Sequence, residues 1–109
     1  MSDLSDLSAA TADFAAARDW QPWNTPKNLV MALSGEVGEL ITLFQWLTPE
    51  ESATIMADEK LAGEVRDELA DVLLYLVQLA RVLDVDLAEA AKAKLARNET
   101  RFPPPSVVE

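Results

Sequence analysis

The chain contains no cysteine and no histidine among its 109 residues. Without cysteine there is no disulfide framework, no thiolate metal site and no thiol nucleophile. Without histidine the commonest general base is gone, and with it the imidazole triads and nearly all zinc and non-haem iron sites. Any chemistry must be run by carboxylates, lysine, arginine, tyrosine and a hard metal ion. Long apolar runs are also missing: the hydrophobic stretches are short and broken by charges, and "MSDLSDLSAATADF" has no basic start ahead of an apolar core. A soluble, cytoplasmic protein without a membrane partner is expected. Positive charge is scarce, with 9 Lys and Arg against 19 Asp and Glu, a formal net charge of -10. That balance disfavours a nucleic-acid polymer as partner, because such binding depends on cations neutralising phosphates. An anionic substrate would need a positive ion as intermediary.

What is present points to helices. Half of the residues are hydrophobic, enough for one compact domain over 1–109 with a single core, followed by a loose tail from about 103 to 109. Only 3 glycines occur, and the 6 prolines stand where helices begin or stop. Thr25 before Pro26 predicts a helix running to about Leu47. Thr48 before Pro49 repeats the signal and predicts a short helix ending near Asp58. A long helix is expected from about Glu59 to Leu83. Asp86, with Glu89 three residues on, predicts a capping-box-like start to a last helix that ends near Arg101, where "FPPP" stops it. A first helix over about Ser5 to Arg18 precedes the turn "DWQPWNT".

The two long helices are apolar around much of their circumference. Leu29, Leu33, Val37, Leu40, Phe44 and Leu47 form one stripe, widened by Val30 and Ile41 on one side and by Ala32, Leu43 and Trp46 on the other. Leu61, Val65, Leu69, Val72, Leu76, Leu79 and Leu83 form the other. So short a chain supplies few neighbours for such surfaces, and the expectation is an all-α, four-helix-type bundle that completes its core by homo-oligomerising.

Four carboxylates sit on the flanks of these stripes. Glu36 lies roughly 60 degrees and Glu39 roughly 120 degrees from the centre of the first, and Glu68 and Asp71 occupy a corresponding flank of the second, with Tyr75 a turn further on. Acidic pairs at this spacing occur five times, at Asp3/Asp6, Glu36/Glu39, Glu64/Asp67, Glu68/Asp71 and Asp86/Glu89, so spacing alone is weak. Solvated faces account for Asp3/Asp6 and Glu64/Asp67, and capping for Asp86/Glu89. The apolar surroundings single out the other two pairs, each offering carboxylates at i and i+3 that can converge between two helices. An all-oxygen set of this kind selects magnesium or manganese.

"EVGELITLFQWL", then "ELADVLLYLV", then "KAKLARNETRFP" together resemble the all-α nucleoside triphosphate pyrophosphohydrolases of the MazG type, in their compact dCTP pyrophosphatase branch. The resemblance runs from about Phe14 to Pro103, and its force lies in the combination of EXXE, a spacer, EXXD and K-x-x-x-N-x-x-R-F-P. It implies Mg2+-dependent hydrolysis of a nucleoside triphosphate, dCTP or a related or modified dNTP, to the monophosphate and pyrophosphate, in the service of pool cleansing. It implies Glu36, Glu39, Glu68 and Asp71 as metal ligands and catalytic centre, with Mn2+ as an alternative ion. Lys94, Asn98 and Arg101, at i, i+4 and i+7 of the last helix, would meet the phosphates. Trp20, Asn24, Trp46, Tyr75 and Phe102 would surround the base. Dimers or dimer-of-dimers tetramers with sites between subunits are implied as well. Two departures stand out: Asn24 replaces a histidine in the family's H-x-P, and Phe102 replaces a tyrosine. An amide cannot carry charge and Phe lacks a hydroxyl, so these changes leave the metal site untouched and bear on cytosine preference. Rival expectations are a catalytically silent assembly or regulatory bundle, and the same fold acting on another substrate such as phosphoribosyl-ATP.

Overall fold

The computed structural model describes residues 2–106, so positions 107–109 of the expected tail lie outside the described residues. Five α-helices follow one another: α1 (Asp3–Ala17), α2 (Pro26–Phe44), α3 (Pro49–Ala53), α4 (Glu59–Val82) and α5 (Leu87–Arg101), with a 3-10 turn at Ile55–Ala57 before α4. No strand occurs among the described residues, in keeping with the all-α expectation.

The helix starts follow their capping residues. Thr25 Oγ1 accepts the Asn28 N–H at 3.2 Å, with Pro26 at the first helical position. Thr48 and Glu51 form a reciprocal capping box. Asp58 and Asp86 each accept a backbone N–H at 3.0 Å, from Leu61 and Glu89. Each cap satisfies a donor that has no partner inside its own helix.

Four expectations need correction. α1 begins at Asp3 because Ser2 and Ser5 bond to each other's backbone N–H at 3.1 Å, a capping box with serine where Glu or Gln is usual. α2 ends at Phe44, three residues short of Leu47, and the chain tightens into a turn in which the Leu47 N–H meets the Phe44 carbonyl at 2.9 Å. The short helix expected up to Asp58 is divided at Thr54, whose φ of -115° leaves the helical region, and Asp58 turns extended to cap α4. Glu89 does not complete a capping box: its carboxylate turns outward to Lys92 at 3.3 Å.

α1 and α4 stop in the same way. Asp19 and Asp84 both adopt φ 55°, and in each case the two following N–H groups fold back, Asp19 to Ala16, Trp20 to Ala15, Asp84 to Arg81 and Val85 to Ala80. This is the Schellman arrangement with aspartate where glycine is usual. It reverses the chain into the loop carrying Trp20 and Asn24, and into the link that leads to α5.

α2 lies along α4, and α1 packs against α4 over a smaller contact. The buried apolar set is small: Ala15, Leu29, Ile55, Ala62, Val65, Val77 and Ala80. Leu29 is the one large side chain fully enclosed among the described residues, at 1% exposure. α5 contributes no buried residue. The radius of gyration is 17.7 Å, against about 13 Å for a compact domain of this length. The accessible surface is 8393 Å², whereas a compact monomer of this mass would expose roughly 5,900 Å². Much apolar surface therefore stays uncovered, including Val30, Met31, Ile41, Leu69, Leu83 and Leu95.

Since Leu29 anchors a sparse core, Leu29→Ala should cost about 2–5 kcal/mol of unfolding free energy in urea denaturation. A loss below about 1 kcal/mol would place the stabilising contacts elsewhere.

Candidate active site

The sequences "EVGEL" and "ELADV" each lie mid-way along their helices, α2 and α4. Because α2 runs along α4, the i, i+3 acidic pairs on the two helices can meet, and three of the four do. Carboxylate oxygens of Glu36, Glu39 and Glu68 all lie within 4.8 Å of one another. Glu36 and Glu68 are half-buried and Glu39 is exposed. Asp71, one turn beyond Glu68 and half-buried, is not part of that group of three.

The electrostatics of the group are unfavourable as the chain stands. One carboxylate oxygen each of Glu36 and Glu68 is shut off from water and has no hydrogen-bond donor. The Glu68 carboxyl is pushed up from its ordinary 4.5 to about 7, first by the Glu36 carboxylate within hydrogen-bonding reach, then by loss of solvent, then by Glu39. A buried acceptor without a donor, in a cluster of like charge, calls for something positive. With oxygen as the sole donor type and no imidazole or thiolate in the chain, the residues fit a hard divalent cation.

The other expected site residues are spread over the α1–α2 loop, α4, the turn after α2 and the last helix. Trp20 stands in the α1–α2 loop, edge-on to Phe14 with ring centroids 5.6 Å apart, and the Arg18 guanidinium lies over the Phe14 ring, 3.6 Å from its centre. Asn24 is half-buried in the same loop, its N–H bonded to the Trp20 carbonyl at 3.0 Å. Tyr75 is half-buried on α4. Trp46 follows the other end of α2 and is 86% exposed. The 19 residues of α2 put roughly 28 Å of rigid helix between the Asn24 end and the Trp46 end, too far for one chain to close both around one base. Lys94 and Arg101 are exposed and Asn98 half-buried on α5, with the Arg101 guanidinium 5.0 Å from the Phe102 ring centre. The Phe14–Arg18 support beneath Trp20 was not read from the sequence; the signal was the i, i+4 spacing of an aromatic and an arginine at a helix end.

The fold and the centre define a class: an all-α protein whose two central helices present converging carboxylates able to hold a metal ion. Its relatives narrow that class. The family model described as MazG-like matches residues 31–105. dCTP pyrophosphatase 1 of Homo sapiens is 44% identical over 100 residues, covering 92% of this chain and 59% of that protein, and its Bos taurus counterpart is 43% identical with the same coverage. This chain thus spans about three fifths of the length of those curated relatives. A solved pyrophosphatase structure from Archaeoglobus fulgidus superposes with a TM-score of 0.86 at 36% identity, covering 95% of both chains. The chain belongs to the MazG-like family.

The raised Glu68 pKa carries a definite sign. The folded protein holds this proton more tightly than the unfolded chain, so without metal its contribution to stability is complete below about pH 4.5 and is lost as the pH rises to about 7. In EDTA the melting temperature of the wild type should therefore fall across that window relative to Glu68→Gln. Saturating Mg2+ should raise it again at pH 8 in the wild type and not in the variant. Identical profiles for the two proteins in EDTA would show that the three carboxylates do not converge in solution.

Proposed function

We propose that the chain is a divalent-metal-dependent nucleoside triphosphate pyrophosphohydrolase that cleaves dCTP or a related or modified dNTP to the monophosphate and pyrophosphate. The observation that carries this reading is the convergence of Glu36, Glu39 and Glu68, with two of their oxygens sealed from water and unanswered. The names of the relatives favour a free nucleotide over phosphoribosyl-ATP. Retention of the convergent carboxylates speaks against a silent assembly module.

Glu36, Glu39, Glu68 and Asp71 would hold Mg2+, with Mn2+ able to replace it. When bound, the ion supplies positive charge against the triphosphate and acidifies a coordinated water. Water attacks the α-phosphorus, the bond from that phosphorus to the α–β bridging oxygen breaks, and pyrophosphate leaves. The proton shed by the water passes to a carboxylate of the centre, since no histidine exists to take it. Lys94, Asn98 and Arg101 would bind phosphate oxygens. Trp20, Asn24, Trp46, Tyr75 and Phe102 would close on the base.

These residues require a second copy of the chain to act together. Trp20 and Trp46 stand at opposite ends of α2, and α5 is not folded into the core of its own chain. The apolar residues beside the carboxylates, Val37 and Ile41 on α2 and Leu69 and Leu73 on α4, are uncovered, with Ile41 at 54% and Leu69 at 53% exposure. Gly35 and Gly38 add to this: each weakens α2 by about 1 kcal/mol relative to alanine, yet among the described residues nothing beyond their chain neighbours and α2's own backbone lies within 4 Å of where their Cβ atoms would be. A homo-oligomer, dimer or dimer of dimers, would cover this surface and bring Trp46 of one copy to the centre of another.

Incubation with a panel of dNTPs, with Mg2+ and with EDTA, should give metal-dependent monophosphate plus pyrophosphate. Glu39→Gln and Asp71→Asn should each lower kcat by at least about 100-fold, and full activity in either would remove that residue from the ligand set. Co-refolding Glu39→Gln with Trp46→Ala should recover about a quarter of wild-type turnover if the two residues meet across copies of a symmetric oligomer. No recovery would confine the site to one chain and leave the reaction class standing.

A further inference from the structure

Away from the carboxylates, a cavity of about 460 Å³ opens between the start of α1, the last turns of α4 and the link into α5. Ser5, Ser8, Val77, Arg81, Asp84 and Leu87 line it. Roughly 20 Å of α4 separates Arg81 from Glu68, so the cavity is no part of the carboxylate centre.

Arg81 is the residue out of place here. Its Nε is shut off from solvent and has no hydrogen-bond partner. The one ion pair formed among the described residues is Lys92 with Glu89, so no carboxylate answers the Arg81 guanidinium either. A guanidinium stays charged at every accessible pH, and an unanswered N–H in a solvent-free position costs stability that an acceptor would restore. Among the described residues no side chain answers the guanidinium, whose terminal nitrogens, unlike Nε, are not sealed off; Arg81 lines the cavity, and its room can admit an acceptor for them from outside.

The lining narrows the class of molecule. Arg81 and the Ser8 hydroxyl suit an oxyanion, while Val77 and Leu87 form apolar wall. Ser5 is already engaged, its Oγ donating to the Ser2 carbonyl at 2.9 Å. Asp84 and Asp86 line the cavity as well, both exposed, Asp86 occupied in capping α5. Hydrated and screened, they tolerate one neighbouring anionic group and repel a polyanion such as a nucleoside triphosphate. We propose that this cavity is a second binding site, for a small molecule joining a single carboxylate or phosphate group, held by Arg81, to a compact apolar body.

The test is an NMR titration of the 15N-labelled full chain in EDTA at constant ionic strength, with hexanoate and inorganic phosphate as separate probes. Saturable shifts are expected at the Arg81 Nε–H and at the amides of Ser5, Ser8 and Leu87, and whichever probe saturates tells carboxylate from phosphate. Arg81→Gln should abolish them. Ser8→Leu, which fills the cavity from α1 and leaves the guanidinium in place, should weaken them at least tenfold, and this variant decides the matter if Arg81→Gln does not fold. Shifts that spread without saturation over the exposed lysines and arginines, or that persist in Ser8→Leu, would overturn the proposal. So would Arg81 signals that respond to protein concentration and to neither probe, since the cavity would then belong to a contact between copies.

Discussion

Mutual repulsion among Glu36, Glu39 and Glu68 is the constraint on which the rest of this molecule turns. Three carboxylates share a space less than 5 Å across, and the partial burial that brings two of them together also removes the water that would otherwise separate their charges. Protonation of Glu68 relieves the repulsion in part. A divalent cation relieves it completely and at the same time answers the oxygens that have no donor. An arrangement that is costly without an ion and favourable with one is what a binding centre needs, because the free energy withheld from the fold becomes available for the ligand.

The same economy shows in the packing. α2 and α4 meet well enough to bring three of their paired acids together, yet apolar side chains on both helices, Ile41 and Leu69 among them, stay exposed. The chain exposes far more surface than its mass requires, and α5 leaves the core altogether. In the proposed oligomer these become one fact: apolar surface beside the carboxylates is where a second copy supplies what the first lacks, a cover for the helices and the aromatic side chain that stands at the far end of α2. Assembly and site formation would then draw on one driving force, the removal of that apolar surface from water.

Most of the secondary structure was legible because helix starts are local events. Thr25 with Pro26, Thr48 with Pro49, Asp58 and Asp86 act on N–H groups within three residues, so their chemistry can be read without knowing anything distant. The misreadings have local causes. Ser2 with Ser5 is a less common version of the capping box, so it did not give the usual signal. At Thr54 the apparent helical run is broken by a φ of -115°, and past Gln45 the chain tightens into a turn.

The candidate site divides along the same line. That Glu36, Glu39 and Glu68 could share an ion followed from period and flank, since residues three apart on a helix face one way whatever surrounds them. The grouping of the residues expected around a base did not follow: Trp20, Asn24, Trp46, Tyr75 and Phe102 carry no periodic relation, and α2 holds Trp20 and Trp46 apart. The sequence by itself determined the helices, the absence of imidazole and thiolate chemistry, and the pairing of acids, all properties of neighbours along the chain. Tertiary structure alone decided that three carboxylates converge while Asp71 stands outside them, that Arg81 is left unanswered beside a cavity, and that the core stays open. Those depend on how helices distant in sequence approach one another, and such approach is set by the sum of many weak side-chain contacts that no local pattern records.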